Sequence, residues 1–261
     1  MSTFNPKDSD YPTIDLHGKT LRLLSKDAFA QFDVPLLGLG RLDRQAKATD
    51  AIAAVFDLEG FTNFCKQIEP HLSVPLFLGE FLAWLMKQLK EEMVHKRYKT
   101  GVRLYSPLPF FVKFMGDGLL VLWNASSMSE VSRRNVIVSV SEICSHYSNS
   151  FFPIIKCKVV EPPPRLRCGL ARGTVYSVGD DNDYVGSCIN MAARLQRIPG
   201  VTFAFNRRGF NIDGTGSEFF EKDVVVRRVS IRGIGENELI AILSTEFEAL
   251  APEDKKRFRA L

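Results

Sequence analysis

"AIAAVFDLEGFTNF", residues 51–64, runs six residues of apolar, partly β-branched and aromatic character into a carboxylate, Asp57, and then turns through Gly60 into Phe61 and Thr62. A continuous apolar run of this length reads as a strand buried on both faces. An acid at the end of such a strand, followed at once by a glycine turn, sits where side chains leave the core, where it either caps the local turn or is placed for chemistry.

From Pro75 to about His95, Leu78, Leu82, Leu85 and Leu89 recur at steps of four, three and four among Lys87, Lys90, Glu91 and Glu92, the pattern of an amphipathic helix. "PFFVKFMGDGLLVLWN", residues 109–124, reads as a hairpin whose "GDG" is the turn, which places a second carboxylate, Asp117, at its tip. A second helix is expected over about 129–147, with Val131, Ile137, Val140 and Cys144 as its stripe and "SMSE" as a capping box. Prolines 162–164 forbid helix, and the alternation in "LRCGLARGTVYSV" suits strand. A helix then starts near Ser187 and stops at Pro199 and Gly200. The order β, α, ββ, α, ββ, α, β, followed by two further strands over 224–243, predicts an α+β fold with a largely antiparallel sheet.

The 261 residues predict one catalytic-size domain over 50–243, an N-terminal extension and linker over 1–49, and a charged tail over 244–261 that is a short helix or a frayed end. A 45% hydrophobic share excludes a disordered chain, and a net charge of +4 against 34 basic and 30 acidic residues demands neither a nucleic acid nor a membrane surface as partner. Five scattered cysteines without a C-x-x-C pair fit a reducing cytoplasm. "MSTFNPKDSDYP" lacks the order of a secretory leader, and "VPLFLGEFLAWLM", interrupted by Glu80, is too short to span a bilayer. Cys188 reads as a packed side chain rather than a nucleophile.

Asp57 and Asp117 come from a central strand and its neighbouring hairpin. Paired oxygen ligands of this kind suit hard divalent cations, Mg²⁺ or Mn²⁺, completed by substrate phosphate. Asp117 alone is equally well the Asp of an Asp-Gly turn.

Four motifs in order, "FDLEGFT", "KFMGDG", "RCGLARG" and "YVGSCINMAARL", resemble the class III nucleotidyl cyclase catalytic domain over about residues 50–243. The resemblance implies a ferredoxin-like α+β core. It also implies two metal ions on Asp57, Asp117 and the Leu58 carbonyl, and a phosphate-binding turn from the Phe61 and Thr62 amides. It further implies phosphate contacts from Arg167 and Arg232, and an Asn190/Arg194 helix that orients the ribose and stabilises charge on the α-phosphate. In this family the aspartates and the Asn/Arg helix come from different subunits, which implies a head-to-tail homodimer with sites at the interface. Lys113 stands where adenylate cyclases place their adenine-reading lysine; Asp183 matches that lysine's partner only if no gap is opened.

The stretch between Gly173 and Gly186 is shorter than the family's arm, and Phe110, Phe111, Phe114 and Met115 crowd Lys113 unless they are core. A single cyclase domain with these features resembles the pyrimidine cyclases of the bacterial Pycsar antiphage system. The resemblance implies UTP, then CTP, as substrate and a separate effector protein as reader of the cyclic product; an adenylate cyclase and a silent nucleotide-binding module are the alternatives.

Overall fold

In a computed structural model, which describes residues 12–214 and 216–261, the apolar run becomes β3, Ala48–Glu59, with Ala51 through Phe56 all 3% exposed or less. The first eleven residues, on which the expected lack of a leader rests, lie outside the described residues. Before β3 come a hairpin, β1 (Thr13–Leu16) and β2 (Lys19–Arg22), and the short α1 (Lys26–Ala30). After it follow α2 (Phe61–Phe64), α3 (Pro70–Glu91), β4 (Val94–Tyr98), β5 (Gly101–Leu104), β6 (Phe111–Phe114) and β7 (Gly118–Asn124). Then come α4 (Glu130–His146), α5 (Phe152–Ile155), β8 (Arg165–Val178), β9 (Asp183–Val185), α6 (Ser187–Leu195) and β10 (Phe203–Asn206). The chain finishes with β11 (Val224–Ile231), β12 (Gly235–Leu243), α7 (Ser244–Ala249), α8 (Pro252–Lys255) and β13 (Phe258–Arg259).

The larger of two compact units holds Thr49–Val175 and Gly186–Leu261. Its strands lie in the order β13-β11-β12-β10-β8-β3-β7-β6. The four strands β3, β6, β7 and β8, with α3 and α4 between them in sequence, make a ferredoxin-like β-α-β-β-α-β core in which the first strand neighbours both the third and the fourth. β8 and β10 run parallel, as a strand–helix–strand crossover through α6 requires. β6–β7, β3–β7, β10–β12 and β11–β12 are antiparallel.

The long helix starts at Pro70, five residues ahead of expectation, and carries Pro75 inside. Its buried stripe is Phe77, Phe81, Leu85 and Leu89; Leu78 and Leu82 are only partly buried. Apolarity on two adjacent faces hid this shift, and the aromatic members decide it: Phe77 and Phe81 stack at 5.9 Å and meet Phe151 at 6.1 Å each. At 22 residues, α3 is long and apolar enough to cross a membrane, against the expectation from its apolar segment, yet that stripe is core. Ser129 caps α4 by accepting from the Ser132 amide at 3.1 Å, so the cap lies two residues past the expected Ser127; Val131 is 56% exposed and leaves the stripe. The hairpin β4–β5, turning at Lys99–Thr100, has no counterpart in the sequence expectation.

The smaller unit holds the chain through Ala48 together with Tyr176–Val185. Within it the linker is tied to the β8–β9 turn. Arg44 Nε meets Asp180 Oδ1 at 2.7 Å, Lys47 Nζ meets Asp181 Oδ2 at 2.6 Å, and Lys47 and Ser177 exchange bonds at 3.0 Å. These contacts hold the linker to the arm within the smaller unit.

Candidate functional site

The tip of β6–β7 is set by backbone contact. The Met115 amide donates to the Gly118 carbonyl at 2.8 Å, leaving Gly116 and Asp117 as the loop residues. A Cβ on Gly118 would lie 1.9 Å from the Phe56 carbonyl oxygen, so only glycine lets β7 approach β3 here. That approach puts Gly118 opposite Asp57, and the Leu58 amide donates to the Asp117 carbonyl at 3.2 Å. Asp57 and Asp117 thus occupy neighbouring strand ends at one edge of the sheet.

Asp57 does not stand alone. Arg167 Nη2 donates to Asp57 Oδ2 at 2.5 Å, and two residues along each strand Arg165 grips Glu59 through both carboxylate oxygens at 2.6 and 3.1 Å. Farther along, Arg172 forks onto Asp50 at 2.6 to 3.2 Å. The partners rise on β3 as they fall on β8, the order of antiparallel strands, and the side-chain period of two puts Asp57 with Arg167 and Glu59 with Arg165 on the same face. Neither Arg165–Glu59 nor Arg172–Asp50 was singled out in the sequence. For Arg165–Glu59 the trace there is Arg165 and Arg167 at spacing two facing Asp57 and Glu59 at spacing two; Arg172–Asp50 leaves no such trace. Arg167 Nε is buried without a hydrogen-bond partner, an unfilled donor beside the carboxylate.

Gly60, at φ 81°, turns the chain into α2. Its carbonyl accepts from the Asn63 and Phe64 amides at 3.0 Å each, which leaves the Phe61 and Thr62 amides as the leading donors of the turn, with no side chain capping them. The Phe61 ring packs on Phe64 and Phe77, anchoring the turn to the core. Among the described residues no three His, Cys, Asp or Glu side chains gather as a metal cluster. Two strand-end carboxylates still fit Mg²⁺ or Mn²⁺, because such ions keep waters and take substrate oxygens.

The α6 helix buries Cys188, Met191, Ala192 and Leu195 and leaves Asn190 and Arg194 exposed four residues apart on the opposite side. Asn190 lines a cavity of about 400 Å³ with Arg172, Asn206, Arg208 and the buried Glu238. Arg194 lines a second, of about 410 Å³, together with Arg232. Neither cavity is lined by Asp57 or Asp117, and Asn190 and Arg194 line different ones. Burial pushes the Cys188 thiol up to about 11, which keeps it protonated and inert.

Lys113 lies on the edge strand β6 of the larger unit, opposite Leu120. Asp183 lies on β9 of the smaller unit and accepts from the Tyr184 amide at 2.9 Å. Of the aromatic group near Lys113, Phe110 (41%), Phe114 (45%) and Met115 (41%) are exposed, so they are not core.

Comparison of the sequence with protein-family models and with curated proteins returns no match. The fold is that of the class III cyclase catalytic domain. Among solved structures the chain is similar to a bacterial light-regulated adenylyl cyclase, at a TM-score of 0.50 and 14% identity, covering 80% of this chain and 56% of that one. It is also similar to a dimeric guanylyl cyclase domain of the RhoGC fusion protein from the aquatic fungus Blastocladiella emersonii, at a TM-score of 0.49 and 16% identity, covering 77% of this chain and 97% of that one.

Proposed function

We propose that the chain is a metal-dependent nucleotidyl cyclase that converts a nucleoside triphosphate to its 3′,5′-cyclic monophosphate and diphosphate. The observation that carries this reading is the juxtaposition of Asp57 and Asp117 by the β3–β7 register, beside the free-standing amides of Phe61 and Thr62. Asp57, Asp117 and the Leu58 carbonyl would hold two Mg²⁺ or Mn²⁺ ions. Bound there, such ions lower the pKa of the ribose 3′-hydroxyl and neutralise phosphate charge. The Phe61 and Thr62 amides bind phosphate oxygens, and the Arg167 guanidinium, held on Asp57, adds positive charge on the same side. Arg232 binds the terminal phosphates from the other group of residues, Asn190 orients the ribose, and Arg194 stabilises the charge that develops at the α-phosphate.

The 3′-oxygen attacks the α-phosphorus in line, the bond to the β-phosphate oxygen breaks, diphosphate leaves and the hydroxyl proton passes to solvent. Because the resemblance assigns the aspartates and the Asn190/Arg194 helix to different subunits, and one chain carries both, the working unit is proposed as a head-to-tail homodimer with two sites at its interface.

The substrate proposed is UTP, then CTP. The short arm between Gly173 and Gly186 and the bulk of Phe110, Phe111, Phe114 and Met115 around Lys113 favour a small base. Lys113 itself, at the adenine-reading spacing, favours the second reading, an adenylate cyclase. The setting proposed is the bacterial cytoplasm, with cyclic UMP or cyclic CMP as a second messenger of antiphage defence read by a separate effector protein. A silent nucleotide-binding module is the opposing reading. Incubation of the purified protein with Mn²⁺ and equimolar ATP, GTP, CTP and UTP, with mass spectrometry of the products, tests all of these: a cyclic pyrimidine nucleotide supports the proposal, cyclic AMP moves it to the second reading, and no cyclic product refutes the cyclase.

A further inference from the structure

The tail is no frayed end. After α7 and α8, β13 adds itself to the edge of β11, Phe258 opposite Val229 and Arg259 opposite Arg228. Phe258 is buried and sets its ring edge-on to Phe247 at 5.6 Å, while the Arg227 guanidinium lies 4.5 Å over the Phe247 ring. An aromatic anchor and a strand pairing thus hold residues 256–259 against the strand that leads to Arg232.

The consequence is a concentration of one charge. The cavity of about 410 Å³ is lined by Arg194, Arg197, Arg232, Lys256, Arg257 and Arg259, and by no acid. Of the six, Arg257 alone has a carboxylate partner among the described residues, Asp254 at 3.4 Å. Five unpaired cations around one concavity repel each other and focus a positive potential into it, a state that a bound polyanion relieves. All six are exposed, so the attraction is screened by salt. They converge on one cavity rather than along a stripe, which suits a short polyanion and not a duplex.

We infer that the segment 256–259 completes a polyphosphate-binding cavity with Arg194 and Arg232, and that its cations set the affinity for the phosphate chain of the substrate and of the leaving diphosphate. That the polyanion is a substrate's phosphate chain rests on the cyclase reading; the charge of the cavity does not. Lys256 and Arg259 act by attraction on the bound chain, away from the bond that breaks, so their loss raises KM and leaves kcat nearly unchanged.

The test uses the full chain and inorganic tripolyphosphate, followed by calorimetry at low and high salt. The double variant K256E/R259E is expected to weaken tripolyphosphate binding by about tenfold and to flatten its salt dependence, with K256R/R259K binding as the parent does. Should the reversal variant fail to fold, K256Q/R259Q carries the same comparison. In turnover, the reversal variant raises KM for the nucleotide by a similar factor with kcat within about twofold, and weakens product inhibition by diphosphate. Unchanged tripolyphosphate affinity in a folded variant overturns the inference even if the protein is an active cyclase. Absence of any cyclic product, with tripolyphosphate affinity lost in the variant, overturns the cyclase reading and leaves the polyanion cavity standing.

Discussion

Gly118→Ala is the sharpest test of how the candidate metal site is built. The new methyl carbon would lie 1.9 Å from the Phe56 carbonyl oxygen, 3.0 Å from its carbon and 3.3 Å from the Asp57 Cα, all backbone atoms that no rotamer change can move. An ordinary carbon–oxygen contact is about 3.3 Å, so β7 must retreat from β3 by roughly 1.4 Å at this residue. The retreat stretches the Leu58-to-Asp117 hydrogen bond, now 3.2 Å, past its useful range. Overpacking of about 1–3 kcal/mol together with about 1 kcal/mol for the hydrogen bond predicts a loss of about 2–4 kcal/mol in urea denaturation. Asp117 moves with the tip, and a displacement of about 1 Å at a positioned group costs about a hundredfold in turnover. Gly116→Ala is the control. It sits one residue before Asp117 with open space around it, and strain at its φ of 89° costs only about 1–2 kcal/mol. The assays are urea titration, Mn²⁺ binding by calorimetry, and cyclic nucleotide formation. A Gly118→Ala protein with the parent's stability and Mn²⁺ affinity would refute the claim that backbone closeness at Gly118 positions Asp117.

Three further outcomes are expected. Asp57→Ala or Asp117→Ala abolishes cyclic product while sedimentation gives the same oligomeric state as the parent; full activity in either would remove the two-metal mechanism. Arg194→Ala lowers kcat by about 10²–10³ with KM little changed, whereas Arg232→Ala chiefly raises KM, both read from steady-state kinetics. Burial raises the Glu246 carboxyl above its ordinary range although it accepts from the Thr202 and Phe203 amides. The folded state therefore holds that proton more tightly than the unfolded chain, so its contribution is complete below the ordinary carboxyl pKa and is lost as pH rises through the raised one. Urea midpoints measured from about pH 4 to 7 should fall on this account, and Glu246→Gln should flatten the fall; an identical slope in the variant would dismiss it.

Most of the larger unit's order of elements along the chain was legible because those elements carry strong local patterns. The two-sided apolarity of β3, the "GDG" turn and the Pro199–Gly200 stop each follow from chemistry within a few residues. What escaped depends on partners far along the chain. Which of Phe77 or Leu78 faces the core is settled by Tyr147 and Phe151, some seventy residues away, against which the aromatic face of α3 packs. Likewise the Asp57–Arg167 and Glu59–Arg165 pairs exist only once β3 and β8 are adjacent. The motif residues could be named from spacing, and the family resemblance implies their division into an aspartate group and an Asn/Arg group; that Asn190 and Arg194 line two different cavities exists only in the fold.

That division bears on why the basic cavity recruits a tail. The amides of Phe61 and Thr62 and the donor Nε of Arg167 stand with the aspartates, but Arg167 spends part of its charge on Asp57 at 2.5 Å. An arginine already neutralised by a carboxylate offers a phosphate less than a free one does. On the cyclase reading proposed above, positive charge for the far end of the triphosphate would then come from the other group, where Arg232 is joined by Lys256 and Arg259, none of them paired to an acid among the described residues. In the homodimer proposed above, a site divided between two copies would gain from this asymmetry. The acid-bearing side attracts cations and the wholly basic side attracts the polyanion they accompany, so substrate and metal bring together two faces that would meet more weakly without them.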